Sequence, residues 1–309
     1  MLSNDELSLR ALDELRHALV EQSGSIKLHA AESLYALGFG EHVLGYFKHE
    51  LLRDESTPSQ QVCMWRVLAQ AELTEAKRSH YVDKIRDAYL SSDSPDRVSA
   101  AESLSKLHYR IDDAHRSRYE RVMEDLPVAA MPYARWLFAV SGDIPDLQKL
   151  ADLLNNPEPM IRGVAAYALR HLRDKLPPAI IDRIAEVAIA EPPSVGRKYL
   201  VCAAYVTASD ASLAATFKAS LVEYAKSGDR AEKYEVASAL AIRGERIDLS
   251  LLSHLLSDND PDVRVGAATA VLQILRRSAQ PLSNAGPHIL HDPKLAQRMG
   301  STRIGQRLS

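Results

Sequence analysis

Apolar and polar positions recur along most of the chain with a helical period, and the helical segments come in pairs. The clearest pair runs from Leu249 to Leu275: an apolar helix, the polar turn SDNDPD, and the second helix VRVGAATAVLQIL. Asp260 suits the capping position of the second helix, where its side chain accepts hydrogen bonds from free N–H groups, and Pro261 suits the first turn. The segment therefore predicts one helical hairpin.

The same pattern recurs upstream, with a pair of small residues in most second helices (IKLHAAESL, RVSAAESL, MIRGVAAYAL). Small residues let paired helices approach closely, while Leu and Val at i, i+3 and i+4 fill the core. Second helices are predicted to begin near residues 26, 58, 95, 128, 159, 194, 229 and 260, at intervals of 31 to 37 residues. First helices are predicted over 5–22, 41–53, 74–91, 113–125, 143–155, 177–190, 210–226 and 246–257. We expect an all-α chain of about eight hairpins that stack on their neighbours.

The Asp-Pro-Asp-Val-Arg sequence that opens the last second helix, together with this period, resembles the HEAT repeats of the armadillo-like superfamily. The resemblance covers residues 1–276 and implies a right-handed α-solenoid whose second helices line a concave surface. It implies a fold and no particular chemistry, because one fold serves many functions. The first hundred residues also resemble HEAT-like regions attached to some bacterial transport and sulfatase proteins, which favours a bacterial origin.

The segment 277–309 breaks the repeat pattern and is rich in Ser, Gly, Pro and Arg. From Arg276 onward it holds six Lys or Arg and one Asp. Two interpretations stay open: a flexible tail or C-terminal cap, and a basic arm that docks on an acidic partner.

Composition narrows the function classes. The net charge is −3 and the pI is about 6.4, which disfavours nucleic acid as a partner, because phosphate binding needs a positive excess. No apolar run approaches 18 residues, so we expect no membrane span, and the acidic start does not resemble a secretory signal. Cys63 and Cys202 fall four repeats apart, so we expect no disulfide and a cytoplasmic location. No phosphate-binding loop, dinucleotide turn or zinc motif is present, so we expect no cofactor and no metal.

Two columns of polar residues follow from aligning the second helices on the small-residue pair. The first lies three residues before the pair, and we interpret it as structural, bonding turn carboxylates and neighbouring repeats. Its members are Lys27, Arg97, Arg162, Lys233 and Arg264. The second column is the residue directly after the pair, and its first four members alternate between negative and positive charge. Its members are Glu32, Arg66, Glu102, Arg135, Tyr167, Tyr205, Ser238 and Thr269.

The second column has two interpretations: a salt-bridge ladder that holds register, and a charged groove for a zwitterionic or carboxylate ligand. Aromatic neighbours favour recognition, because Arg beside an aromatic ring is a common binding pair. The candidate ligand-binding residues are Glu32, Trp65, Arg66, Glu102, Tyr133, Arg135, Trp136, Tyr167 and Arg170. A Tyr-rich extension of the groove would add His171, Tyr199, Tyr205 and Tyr234.

Three functions stay open. The first is a binding scaffold whose concave face engages a protein, a peptide or a small anionic ligand. The second is an enzyme of lyase type, since HEAT-like folds occur among bilin lyases and alkylpurine DNA glycosylases; its acid–base candidates are His29, Glu32 and Glu102. The acidic balance argues against the glycosylase version. The third is an assembly factor that docks through the basic tail. An enzyme would require the candidates to converge on one closed pocket.

Overall fold

A computed structural model of the chain describes residues 3–50, 57–91 and 94–279. These residues form sixteen α-helices and no strand. In chain order the helices are α1 (Asn4–Glu21), α2 (Gly24–Ala36), α3 (Gly40–Glu50), α4 (Pro58–Ala71), α5 (Glu75–Leu90), α6 (Arg97–Lys106), α7 (Arg116–Glu124), α8 (Met131–Ala139), α9 (Ile144–Asp152), α10 (Pro159–His171), α11 (Pro178–Ala190), α12 (Arg197–Thr207), α13 (Ala211–Ser227), α14 (Arg230–Arg243), α15 (Leu249–Leu255) and α16 (Pro261–Ala279).

The described helices confirm the all-α class and the eight predicted pairs of helices. The odd-numbered helices coincide with the predicted first helices and the even-numbered ones with the predicted second helices. The predicted cap is also present, because Asp260 Oδ1 accepts from the backbone N–H of Asp262 at 2.9 Å and Pro261 begins α16. Almost all of the predicted basic tail, residues 280–309, lies outside the described residues.

The even-numbered helices pack side by side, each against the next, from α2 to α16. The small-residue pairs lie in these contacts and are fully buried, as at Ala100–Ala101 and Ala165–Ala166. Close approach is tightest between α10 and α12, where a β-carbon added to Gly163 would lie 2.7 Å from the Cα of Gly196. Because connections between consecutive helices are short, all eight even helices point the same way, and we call them the inner helices.

The two ends of this array are in contact, which an open solenoid does not predict. α16 packs against both α1 and α2. Arg264 Nε donates to Glu14 Oε1 at 2.8 Å, Thr269 Oγ1 donates to Ser33 Oγ at 2.6 Å, and Arg10 contacts the end of α15. The first hairpin therefore covers the face of α16 that a C-terminal cap would occupy. The hairpins close into a ring, and the inner helices surround its centre.

The basic column is structural, as predicted. Arg162 forms two hydrogen bonds of 2.8 Å to Glu191 at the end of α11 and also donates to the carbonyls of the preceding turn. Lys233 pairs with Asp258 at 2.9 Å, in the turn after α15. Arg97 donates to the Ser91 carbonyl within its own hairpin, whereas Arg162 and Lys233 contact the first helix of the following hairpin, or the turn after it. Arg264 does the same with α1, so the first hairpin occupies the place of a ninth.

No helix within the described ranges is both long and apolar enough to cross a bilayer. The cysteines are both free: Cys63 is half-buried in α4, and Cys202 is fully buried in α12.

Candidate functional site

The inner helices enclose a cavity of about 690 Å³ at the centre of the ring, which we call the central cavity. All eight inner helices contribute to its wall, together with His108 just beyond α6. Exposed wall residues lie at both ends of these helices: Arg230 and Ala231 at the starting ends, Tyr35 and Ala36 at the finishing ends. The cavity therefore runs along the inner helices and reaches solvent.

Four carboxylates stand in the wall, and each has a cationic partner. The acids are Glu32, Glu102, Glu235 and Asp262. Their partners are Arg66, Lys106 and Arg170 for the three glutamates, and Arg230 with His29 for the aspartate. The wall is therefore close to electrically balanced by its own residues.

The Glu32 pair joins three inner helices. Arg66 is almost fully buried in α4, where its Nε donates to Glu32 Oε1 at 2.6 Å and its Nη1 donates to Ser103 Oγ in α6 at 3.0 Å. Burial alone would raise the pKa of Glu32. The positive charges of Arg66 and the nearby Lys106 outweigh this effect and lower the pKa to about 2. Glu32 is therefore an ionised carboxylate and a weak base.

Glu102 is paired within its own helix and bonded across the ring. Lys106 Nζ lies 2.9 Å from Glu102 Oε1 at i+4, and Tyr167 in α10 donates its hydroxyl to the same oxygen at 3.3 Å. Burial raises the pKa of Glu102, while Lys106 and Arg66 lower it below its usual value. Neither this carboxyl nor Glu32 holds a proton to donate near neutral pH, which removes both as general acids.

Arg170 and Glu235 form the most deeply buried pair of the wall. The Arg170 side chain has no exposed surface, and its Nη1 donates to Glu235 Oε2 at 2.9 Å. This contact joins α10 to α14, which both pack on α12. The pair holds two non-adjacent inner helices in register.

A histidine–aspartate pair lies where the ring closes. His29 Nδ1 is 3.2 Å from Asp262 Oδ1, which joins α2 to α16, and Arg230 also pairs with this carboxylate. Burial raises the pKa of Asp262, but His29 and Arg230 lower it overall. The His29 ring stacks on Tyr234 with centroids 5.0 Å apart. An Asp bonded to Nδ1 orients the imidazole and leaves Nε2 for other contacts.

Aromatic rings form much of the remaining wall. Trp136 stacks on His171 with centroids 5.0 Å apart, and Tyr167 meets the edges of both. Tyr133 and Tyr199 are half-buried beside them, and burial raises the pKa of each hydroxyl. These hydroxyls therefore stay protonated at neutral pH and remain hydrogen-bond donors.

The structure brings together six of the candidate residues at the wall. These are His29, Glu32, Glu102, Tyr133, Trp136 and Tyr167. His171, Tyr199 and Tyr234 join them, whereas Tyr205 is buried away from the cavity against Arg243. Arg66 and Arg170 lie behind the wall and hold its carboxylates, so their role here is to support the cavity.

Trp65 and Arg135 do not line the cavity. Trp65 faces the outer helix α5, where Lys84 Nζ lies 5.4 Å from its ring centre. In α8 the inward residues are Tyr133 and Trp136, and Arg135 lies about 100° round the helix from Trp136. Of the predicted Glu–Arg salt-bridge ladder, only the contact between Glu32 and Arg66 is present, because Glu102 pairs with Lys106 instead.

Sequence reasoning missed Lys106, Glu235 and Asp262 as wall residues. The helical period would have found the first two, because Lys106 lies four residues after Glu102 and Glu235 lies three before Ser238 in the second column. Asp262 carries no such signal, since its partner His29 is 233 residues away.

No protein-family model matches this chain, and no curated protein shows significant sequence similarity to it. Any functional conclusion therefore rests on the site itself.

Proposed function

We propose that the protein binds a small molecule in its central cavity. The closed ring carries this proposal, because an open concave groove for a protein or peptide would need the two end hairpins to be apart, and they are in contact. The volume of about 690 Å³ lies within the roughly 300–1,000 Å³ of typical ligand pockets.

The architecture of the wall supports binding. Mobile side chains cost entropy when a ligand fixes them, and a preorganised wall avoids that cost. Here salt bridges and stacked rings tie the wall residues to one another across helix boundaries, as at Arg170–Glu235 and Trp136–His171. This arrangement favours a compact ligand held from many sides.

We retain three finer proposals from the sequence. The ring is built from HEAT-like repeats with a right-handed sense, the protein is bacterial, and it acts in the cytoplasm. The period, the Asp-Pro turn and the basic column support the first of these. A docking role for the tail 277–309 stays a prediction.

One observation favours catalysis as a second candidate function. His29 lines the cavity with Nδ1 held by a buried aspartate, which is the arrangement that orients a histidine as a general base. Under this alternative His29 replaces Glu32 and Glu102 as the acid–base group, and Asp262 fixes its tautomer.

Blocking the mouths of the cavity tests the proposal. Ala36→Trp and Ala231→Trp, combined in one double variant, place bulk at both ends, and both alanines are exposed, so the fold should tolerate the change. Ala215→Trp, on an exposed position of the outer helix α13, is the matched control. Thermal melts are measured with a panel of sugars, amino acids, carboxylic acids, nucleobases and nucleosides.

We expect at least one compound to raise the melting temperature of the wild type and of Ala215→Trp, because a ligand stabilises the state that it binds. The double variant Ala36→Trp/Ala231→Trp should show a smaller shift or none. Equal shifts in all three proteins, or no shift with any compound, would refute binding in the central cavity.

A further inference from the structure

We infer that the central cavity takes an uncharged heteroaromatic compound whose edge carries an oxo group beside a ring N–H, as a nucleobase does. The inference rests on the proposed function and narrows its ligand class. Three features of the wall support it: its charges, its unpartnered polar atoms and its aromatic rings.

The charges of the wall are already paired within the protein, although the buried Nε of Arg170 makes no hydrogen bond within the described residues. Glu32, Glu102 and Glu235 are paired at 2.6 to 2.9 Å, and Asp262 is paired with Arg230 and contacts His29. An anionic ligand would meet cations that are engaged and carboxylates that repel it, and a cationic ligand would meet the reverse. Displacing a desolvated pair is costly, so an uncharged ligand fits best.

Several polar atoms of the wall have no partner within the described part of the chain. Trp136 Nε1, His171 Nε2 and Gln70 Oε1 are buried and make no hydrogen bond there. Trp136 is only 1% exposed, and its indole N–H can donate but cannot accept. Since a buried donor without a partner is unfavourable, a ligand that supplies an acceptor at this point gains affinity.

The His171 ring complements this donor. Burial lowers the pKa of His171 well below its usual value, with Arg170 and Lys106 adding to the effect, so the ring is neutral. A neutral imidazole offers an acceptor nitrogen in one tautomer. Because the ring stacks on Trp136, an indole donor and an imidazole acceptor lie in neighbouring rings of the wall. An oxo group next to a ring N–H presents the matching acceptor and donor.

The aromatic rings favour a flat ligand over a polyol. Tyr133, Tyr167, Tyr199 and Tyr234 surround the stacked pair, and the described residues offer no hydrogen-bond partner to the hydroxyls of Tyr133, Tyr199 and Tyr234. Offset or edge-to-face contacts with a ligand ring need no further polar groups. A sugar has no aromatic ring with which to make these contacts, so it would gain less from this wall.

Fluorescence offers a direct test, because the chain has only two tryptophans. Trp65→Phe removes the one that faces α5 and leaves Trp136 as the reporter in the cavity wall. The probes are hypoxanthine and uracil, with purine as the analogue of hypoxanthine that lacks both the oxo group and the adjacent ring N–H. Glucose, acetate and ethylamine represent the saturated, anionic and cationic alternatives.

We expect hypoxanthine or uracil to change the Trp136 emission saturably. Purine should bind roughly 5- to 160-fold more weakly than hypoxanthine, which is the range for two hydrogen bonds. Calorimetry on Trp136→Phe should show a loss of roughly 2- to 12-fold for hypoxanthine, the range for one hydrogen bond, and a correspondingly smaller difference between hypoxanthine and purine. Trp65→Phe should bind like the wild type. The purine comparison uses unaltered wall residues, so it holds even if Trp136→Phe folds poorly.

The outcomes separate the two proposals. If only glucose, acetate or ethylamine bind, in a way that the double variant Ala36→Trp/Ala231→Trp blocks, this inference is wrong and the proposed function stands. Equal affinities for hypoxanthine and purine also refute it. If hypoxanthine binds equally well to this double variant and to Ala215→Trp, the central cavity is not the binding site, and both proposals fail.

Discussion

A disulfide across the closure of the ring would test the feature on which the site depends. Thr269 Oγ1 in α16 and Ser33 Oγ in α2 are 2.6 Å apart, although the residues are separated by 236 positions in the chain. A hydroxyl contact of this length brings the two β-carbons near the separation that a disulfide requires, about 3.5–4.5 Å. We therefore expect Ser33→Cys/Thr269→Cys to cross-link under mild oxidation. In an open solenoid these positions would lie at opposite ends of the array.

The expected stabilisation is large because the closed loop is long. For a loop of this size the chain-entropy model predicts about 5 kcal/mol, and strain in the native geometry reduces the gain. The measurement is urea unfolding of the oxidised and the reduced double variant. Cys63→Ala is included in every protein, so that the half-buried native thiol cannot exchange.

The single variants Ser33→Cys and Thr269→Cys serve as controls and should neither cross-link internally nor respond to reductant. The cross-link is read from thiol titration and from faster migration on a non-reducing gel. A double variant that keeps both new thiols free after oxidation, while circular dichroism shows the native helix content, would contradict ring closure. The central cavity would then be the open groove that the repeat pattern predicts.

The salt bridges of the wall lead to two further predictions. Glu235→Leu leaves the fully buried Arg170 without its partner and should cost about 3–5 kcal/mol in urea unfolding, whereas the double variant with Arg170→Met should recover most of it. Asp152→Asn, in a half-exposed pair with Arg183, is the control and should cost only about 0–1 kcal/mol; similar losses at both sites would mean that the buried pair is solvated. Folding lowers the pKa of Glu32 from 4.5 to about 2, so the ionised carboxylate contributes about 3 kcal/mol to the free energy of unfolding. This contribution is fully present above pH 4.5 and is lost as the pH falls towards 2. Unfolding measured between pH 5 and 2 should therefore depend less steeply on pH in Glu32→Gln, and an unchanged slope would contradict the assigned pKa.

The helical hairpins were predictable because their signals are local. A capping Asp before Pro261, apolar residues at helical spacing and buried pairs such as Ala165–Ala166 lie within one or two turns of each other. The role of the basic column was equally predictable, because Arg162 contacts only the next hairpin. A contact that recurs in every repeat can be predicted from the sequence of any one repeat.

The cavity was only partly predictable, because the direction of a side chain depends on helix phase. The second column placed Glu32, Glu102 and Tyr167 correctly in the wall, since those helices share one register. In α8 the same alignment selected Arg135, one position before the inward Trp136. α8 has a single small residue, Ala134, where most other second helices have a pair, so the alignment does not determine which of its residues point inward.

The sequence by itself determined the class, the number and the bounds of the hairpins, because each is specified by residues close together in the chain. Only the tertiary structure decided that the first and last hairpins meet, through contacts such as Arg264–Glu14 and His29–Asp262 that span more than 230 positions. A small rotation from one hairpin to the next, added over eight copies, separates an open solenoid from a closed ring. That rotation depends on the packing of every inner helix on its neighbour, which no single repeat encodes.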